Sequence, residues 1–421
     1  MRILIAVHGF PPREAGVWTY HHAQGLSQRH SVWVYTRASD AARPEFSQWE
    51  ERDRQVTIRR VVHSHFAPFH AFNGFRVPII DEQFLGFADE IQPDVIHVEH
   101  TFGLSGSMVG AASRRGWPVV LSLYDYWLLC QRAFLLYEDG SRCPGPRHAF
   151  DCVTCVEGPA DRALPRAPAP AWRLPLHDYR QAVMRDALDA ADVVTACSPH
   201  LQHNITRLYG LPPERVRSVP LGVPPLAGPV VRRPGRAVRI RYLGAIAGHK
   251  GVFVLAHAAK ALAGLNAEVH LHGPAAPQVR EELLAIHPGL IVHPAYGRED
   301  LPALLGDTDV QVVPSLAAET FSFVIREAAL AKVAVVASRI GAIPDFISDG
   351  ETGLLVAAGD AGELAAALRR LVLDPALRAR LAAAHGPMRS VDDYTTEMEG
   401  LYQAAIAAAA TRRRAAGPAA P

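Results

Sequence analysis

What most constrains this fold is a recurring alternation of short apolar runs with amphipathic helical stretches. The runs lie at residues 2–7, 31–35, 56–62, 95–98, 118–123, 193–197 and 216–220, and again at 238–243, 268–271, 290–293, 310–313 and 333–337. Their hydrophobicity is continuous rather than alternating. That marks strands buried on both faces, hence parallel sheets covered by helices. Helical patterns over 251–263, 300–305 and 361–373 lie between or after the later runs, and a long final helix is expected over 391–410.

A Pro/Gly/Arg-rich stretch at 222–236 interrupts the pattern and reads as an interdomain linker. The expected organisation is a first domain at 1–225 and a second domain at 226–390, with the helix 391–410 packing back on the first. The fold class is α/β: two Rossmann-like, doubly wound parallel-sheet domains facing a central cleft. Ligands of open α/β sheets gather at the carboxyl edge of the strands.

Lys plus Arg total 43 against 42 acids, so no global field points to nucleic acid. No run approaches the ~18–20 apolar residues of a membrane-spanning helix. The opening Met1-Arg-Ile-Leu-Ile-Ala-Val7 leads into a Pro-rich loop as a strand does, not as a signal peptide, which sets a cytoplasmic expectation. The tail from Thr411-Arg-Arg-Arg414 to Pro421 reads as frayed and solvated, allowing at most a peripheral membrane contact.

Three strand-to-helix corners carry the candidate chemistry. The first, His8-Gly-Phe-Pro-Pro-Arg-Glu-Ala-Gly16, follows the opening strand; a glycine there lets backbone approach a phosphate, and a tight turn is the plain alternative. The second, Tyr242-Leu-Gly244-Ala-Ile-Ala-Gly-His-Lys250-Gly251, sets a lysine where a compact charge meets a diphosphate; a solvated lysine looks the same in sequence. The third is Glu319-Thr-Phe-Ser-Phe-Val-Ile-Arg-Glu327, with two acids at the corner and near the helix start. Paired acceptors that cannot donate suit the hydroxyls of a sugar or ribose, the bland reading being two solvated acids.

Together with Asp309-Val-Gln-Val-Val-Pro-Ser315 and Gly341-Ala-Ile-Pro-Asp345…Asp349-Gly-Glu-Thr-Gly-Leu-Leu-Val356, these segments resemble the retaining glycosyltransferases of family 4, which have the GT-B fold. The resemblance spans nearly the whole chain and implies a transferase moving a hexose-type sugar from a nucleoside-diphosphate sugar to an acceptor hydroxyl of unknown identity. It implies that Glu327 binds the ribose, Glu319 the transferred sugar, and backbone at Phe321 and Ser322 completes the sugar pocket. Lys250 would hold the diphosphate, with Gly244 beside it and Gly16 closing over it. No cofactor or metal is implied for catalysis. Asp307-Thr-Asp309 is read as a pair of turn caps rather than a manganese site.

The chain departs from the family pattern twice. Ala245 stands where arginine usually shares the diphosphate, leaving His249 as a partial substitute. Tyr124 stands where a histidine usually lies near the reacting carbon, with Asp125 beside it for an acceptor. Two other readings compete: a sugar-nucleotide-binding scaffold, and a nucleotide-sugar 2-epimerase of the same fold.

Four of five cysteines fall together as Cys130-x12-Cys143-x8-Cys152-x2-Cys155, in an insertion at 130–160. In a cytosolic chain such clusters favour metal over disulfides, and the set suits a closed structural zinc. Unligated thiols and two disulfides compete with it. Cys197 reads as a small apolar strand residue.

Overall fold

The computed structural model describes residues 1–11, 16–64, 75–137, 140–146, 149–156, 174–233 and 235–415. Residues 65–74 and 157–173, the second Pro-rich, lie outside these. The chain forms two compact units, one built from Met1–Glu138, Cys143–Gly222 and Val391–Pro421, the other from Asp139–Arg142 and Val223–Ser390.

The first unit holds strands β1 (Arg2–Val7), β2 (Ser31–Ala38), β3 (Gln48–Asp53), β4 (Val56–Val62), β5 (Val95–Val98), β6 (Val119–Leu123), β7 (Val193–Ala196) and β8 (Val216–Ser218). They form one sheet in the order β3-β4-β2-β1-β5-β6-β7-β8. Every pairing is parallel except β3 on β4. The apolar runs fall in the middle because buried parallel strands need both faces covered. Ile3, Leu4, Ile5 and Ala6 are wholly buried.

The second unit holds β9 (Val238–Leu243), β10 (Ala267–His272), β11 (Ile291–His293), β12 (Val310–Val313), β13 (Ala334–Ser338) and β14 (Leu354–Val356), ordered β11-β10-β9-β12-β13-β14 and all parallel. Alternate residues feed apolar clusters on opposite faces. Val310, Val312 and Val336 enter one, while Val313, Val335 and Ala337 enter the other. Both sheets change winding direction beside their first strand, between β1 and β5 and between β9 and β12. At such points the connections diverge and leave a crevice at the carboxyl ends.

The final helix, Val391–Ala415, is longer than its sequence pattern suggested. Thr411 to Arg414 are helical rather than a frayed tail. Arg412 explains this, since its guanidinium pairs with Asp192 and donates to Trp117 O at 3.2 Å. Among the described residues, no helix is long and apolar enough to cross a membrane.

Candidate functional site

The second unit's switch point gathers the acids and cations that the sequence singled out. β9 ends at Leu243, Gly244 follows with φ 137°, and a tight turn, Gly248–Lys250, leads into the helix Val252–Ala259. The backbone oxygen of His249 accepts from Leu316 N and Ala317 N at 3.0 and 3.1 Å, which ties the turn after β9 to the loop after β12. Across this seam Lys250 Nζ lies 2.8 Å from Glu319 Oε1. Ser315 Oγ donates to the same oxygen at 2.7 Å.

Glu319 lies four residues before the helix Phe323–Leu330, and Glu327 lies in that helix's second turn; the first turn holds no acid. The expectation of an acid near the helix start is corrected for Glu327, while Glu319 stands at the corner ahead of the helix. Partner side chains hold them instead. Glu327, 5% exposed, accepts from Arg298 Nη1 at 2.8 Å. Burial raises its pKa and Arg298 pulls it back down, with a net upward shift. Ser322 caps the helix in a left-handed conformation, φ 59° and ψ 83°. Phe321 is buried under the Arg326 guanidinium, 3.6 Å from the ring centroid, and its carbonyl accepts from Arg326 Nη1.

Arg298 and Ser315 were not singled out from sequence. Arg298 follows β11 in a Gly-Arg-Glu-Asp corner, and Ser315 closes the β12 segment. Both lie just past a strand end, which is the signal that would have found them. His249 is a weak stand-in for an arginine. Burial first, and then Lys250, lower its pKa below the ordinary value, so near neutral pH it is uncharged. Asp307 pairs with Arg239 and with Arg241 at 2.9 Å, and Asp309 accepts from Arg239 N at 2.9 Å. These acids anchor β9.

In the first unit, Gly16 precedes the helix Val17–Ser27 with φ 127°. The ends of β1, β5 and β6 bring His8, His100 and Asp125 together. The His8 and His100 ring centroids are 4.4 Å apart, and His100 Nε2 lies 2.8 Å from Asp125 Oδ2. His100 Nδ1 accepts from Phe102 N at 3.0 Å, so the imidazole proton sits on Nε2 and points at the carboxylate. Burial works against the Asp125 charge, but His100 and the Trp127 N–H hold its pKa below the usual range. Tyr124, by contrast, shares a 3.1 Å hydrogen bond with the Tyr394 hydroxyl of the final helix. Burial keeps it a neutral phenol.

Deeper in this unit, Glu99 accepts from the Thr19 hydroxyl and lies 2.9 Å from His22 Nδ1. His97 joins Ser122 at 2.7 Å and the Tyr402 hydroxyl at 2.9 Å. Burial lowers the pKa of both His97 and His8 to about 3. The folded state keeps these rings neutral while the unfolded chain protonates near pH 6.5, so stability is intact above that value and lost as pH falls towards 3. Each ring should contribute a slope of about 1.4 kcal/mol per pH unit below pH 6. Denaturant unfolding at several pH values should show it, and His97→Gln should flatten it. An unchanged slope would show that His97 is not held neutral.

All four clustered cysteines line one small cavity in the first unit, and none is in a disulfide. Burial, with the other three thiols adding, pushes the Cys152 thiol up to about 12.

Residues 15–225 match the family model described as Glycosyltransferase Family 4, and residues 237–374 match that of Glycosyl transferases group 1. The chain is 33% identical over 279 residues to the MMP alpha-(1->4)-mannosyltransferase of Mycolicibacterium hassiacum, a match covering 61% of this chain and 66% of that one. It spans 59% and 62% of the length of two further curated relatives. Among solved structures, sucrose-phosphate synthase from Thermosynechococcus elongatus aligns with a TM-score of 0.68 at 20% identity, covering 96% of this chain and 99% of that one. Anabaena HepE in complex with UDP aligns at 0.65 and 14% identity, covering 96% and 100%. Two parallel-sheet units of GT-B type, with the first family model matching half of the chain, lead to one assignment: the chain belongs to glycosyltransferase family 4, the group 1 glycosyltransferases.

Proposed function

We propose that this chain is a retaining glycosyltransferase that moves a sugar from a nucleoside diphosphate to an acceptor hydroxyl, in the cytoplasm and without a catalytic metal. The observation that carries this reading is the pairing of Lys250 with Glu319 at the β9–β12 switch point, 2.8 Å apart, beside Arg298 on Glu327. Without donor, each cation neutralises an acid. A bound diphosphate would draw Lys250 to itself and release Glu319 to accept hydroxyl hydrogens of the transferred sugar. Glu327 would accept from the ribose, with Arg298 steadying it, and the backbone at Phe321 and Ser322 would complete the pocket. The mannosyltransferase relative and the UDP-bound neighbour support a nucleotide-sugar donor.

In the proposed step the acceptor oxygen bonds to the anomeric carbon as the carbon–oxygen bond to the diphosphate breaks. The electron pair leaves with the diphosphate, and one of its oxygens takes the acceptor proton on the same face. Stabilising the departing charge is then the protein's main contribution. Gly16 is assigned to the donor diphosphate and the His100–Asp125 pair to the acceptor. Thiols outside any disulfide suit a reducing compartment.

A panel of nucleoside-diphosphate sugars should reveal slow release of nucleoside diphosphate in the presence of chelator, with the product keeping the donor's anomeric configuration. Glu319→Ala should lower that rate by about 10²-fold, the scale of one lost electrostatic contact at a reacting centre. Binding of donors with neither hydrolysis nor transfer would leave the scaffold reading standing. An inverted product would refute retention.

A further inference from the structure

We propose that Cys130, Cys143, Cys152 and Cys155 form a tetrathiolate zinc site that organises the insertion after β6, with the buried guanidinium of Arg180 balancing its charge. The backbone draws all four towards one cavity. Cys130 N donates to Tyr126 O at 2.7 Å, closing the turn that follows the strand. Cys143 N donates to Leu135 O at 2.9 Å, which returns the chain to the cavity wall. Cys152 and Cys155 lie three residues apart on the helix Ala149–Val156, a spacing that puts both on one side. All four thiols line the cavity and none is oxidised to a disulfide.

Arg180 is the second, independent observation. It projects from the helix Leu174–Ala190, is 0% exposed, and its Nε is buried without a hydrogen-bond partner. Among the described residues its Nη atoms reach the carbonyls of Trp127 and Leu128, and its face covers the Trp127 ring at 4.8 Å. Among the described residues no carboxylate pairs with it. The ionisable groups acting on it are Tyr209, Cys130 and Cys152. An isolated buried cation is strongly unfavourable. Zinc held by four thiolates carries a net charge of −2, so the metallated thiolate cluster would supply an anionic partner for Arg180. Four thiol protons leave to solvent as the ion binds.

Among the described residues, two other groups have ligand atoms within 4.8 Å of one another, His270–His272–His293 and His22–His97–Glu99, and the cysteines are more widely spaced than these. The first is a stack of near-parallel rings, at 6° between His272 and His293, with Arg241 acting on all three; cations around it and lone pairs that do not converge disfavour a metal. The second is saturated by its own hydrogen bonds. For the cysteines, wider spacing means that binding draws the cavity wall in, coupling metal to local folding.

Protein purified without chelator should contain one zinc per chain by elemental analysis. Zinc should be released in step with modification of four thiols by a mercurial reagent. Cobalt exchanged into the wild-type chain should give the visible absorption of a tetrahedral tetrathiolate. The double variant Cys152→Ser/Cys155→Ser should lose the metal, and Cys197→Ser should keep it. Arg180→Met should release zinc about 10-fold faster or more, the usual scale for a supporting contact around a metal. The cobalt spectrum of the unmutated chain decides the matter should the double variant fail to fold. Absence of zinc together with failure of the metal-free chain to take up cobalt would overturn the proposal, as would two disulfides in the mass of unreduced protein. Unchanged release from Arg180→Met would remove the arginine from the site.

Discussion

Lys250→Ala should lower kcat/KM for the donor by about 10²-fold or more, the largest kinetic effect expected of a single side chain here. Ala245 brings no charge to the diphosphate, His249 is pushed neutral by burial, and Arg298 is engaged with Glu327. In the proposed function the lysine would therefore carry most of the stabilisation of the leaving group. Its removal also deprives the half-buried Glu319 carboxylate of its cation, leaving Ser315 as support. Lys250→Arg should recover part of the rate, because the charge survives while the compact geometry does not. Steady-state kinetics alongside donor titration by calorimetry separate the two effects. A change below about 3-fold in kcat/KM would mean that the diphosphate is held elsewhere.

Gly341→Ala should destabilise the second unit by roughly 3 kcal/mol or more and impair donor turnover with it. Gly341 adopts φ 59°, and a β-carbon there would come within 2.2 Å of the Glu319 carbonyl oxygen and 2.5 Å of its nitrogen. Ala342 N donates to that same oxygen at 2.7 Å, so relief of the clash moves Glu319 itself. Gly251→Ala should behave alike, since its β-carbon would fall 1.7 Å from Pro314 O. Gly350 is the control: its φ of 76° is equally left-handed, but nothing lies within 4 Å of a β-carbon. Its alanine variant should lose only about 1 kcal/mol, the strain of the backbone alone. Thermal unfolding of the three variants would show the ordering, and equal losses would show that close approach is irrelevant.

The strands 2–7, 56–62, 95–98, 238–243 and 310–313 appear with the bounds their apolar runs suggested, because double burial leaves little freedom in where such a strand stops. β3 was not legible. Its sequence, Gln48-Trp-Glu-Glu-Arg-Asp53, is polar apart from Trp49, and as an antiparallel edge strand it is held by cross-strand ion pairs, Glu50 with Arg59 and Glu51 with Arg60. β14, three residues long, sat unseen inside a quoted motif. At the site, Lys250, Glu319 and Glu327 were legible as residue types past strand ends. Their partners were not, since Arg298 meets Glu327 across 29 residues and Lys250 meets Glu319 across 69. Local pattern says which groups reach an edge; which two touch depends on strand order. His8 and His100 were missed for that reason, since β1 and β5 become neighbours only in the folded sheet.

The final helix has a consequence for how the protein is made. Tyr394 and Tyr402, which meet Trp18, Tyr124 and His97, emerge from the ribosome only after all of Val223–Ser390. At about 5–20 residues per second, the first unit waits roughly ten to thirty seconds for its cover. During that time the side chains the helix will seal lie open to water and to any chaperone near the exit. The unit begun first is finished last, and the second can complete its own core before the first is closed.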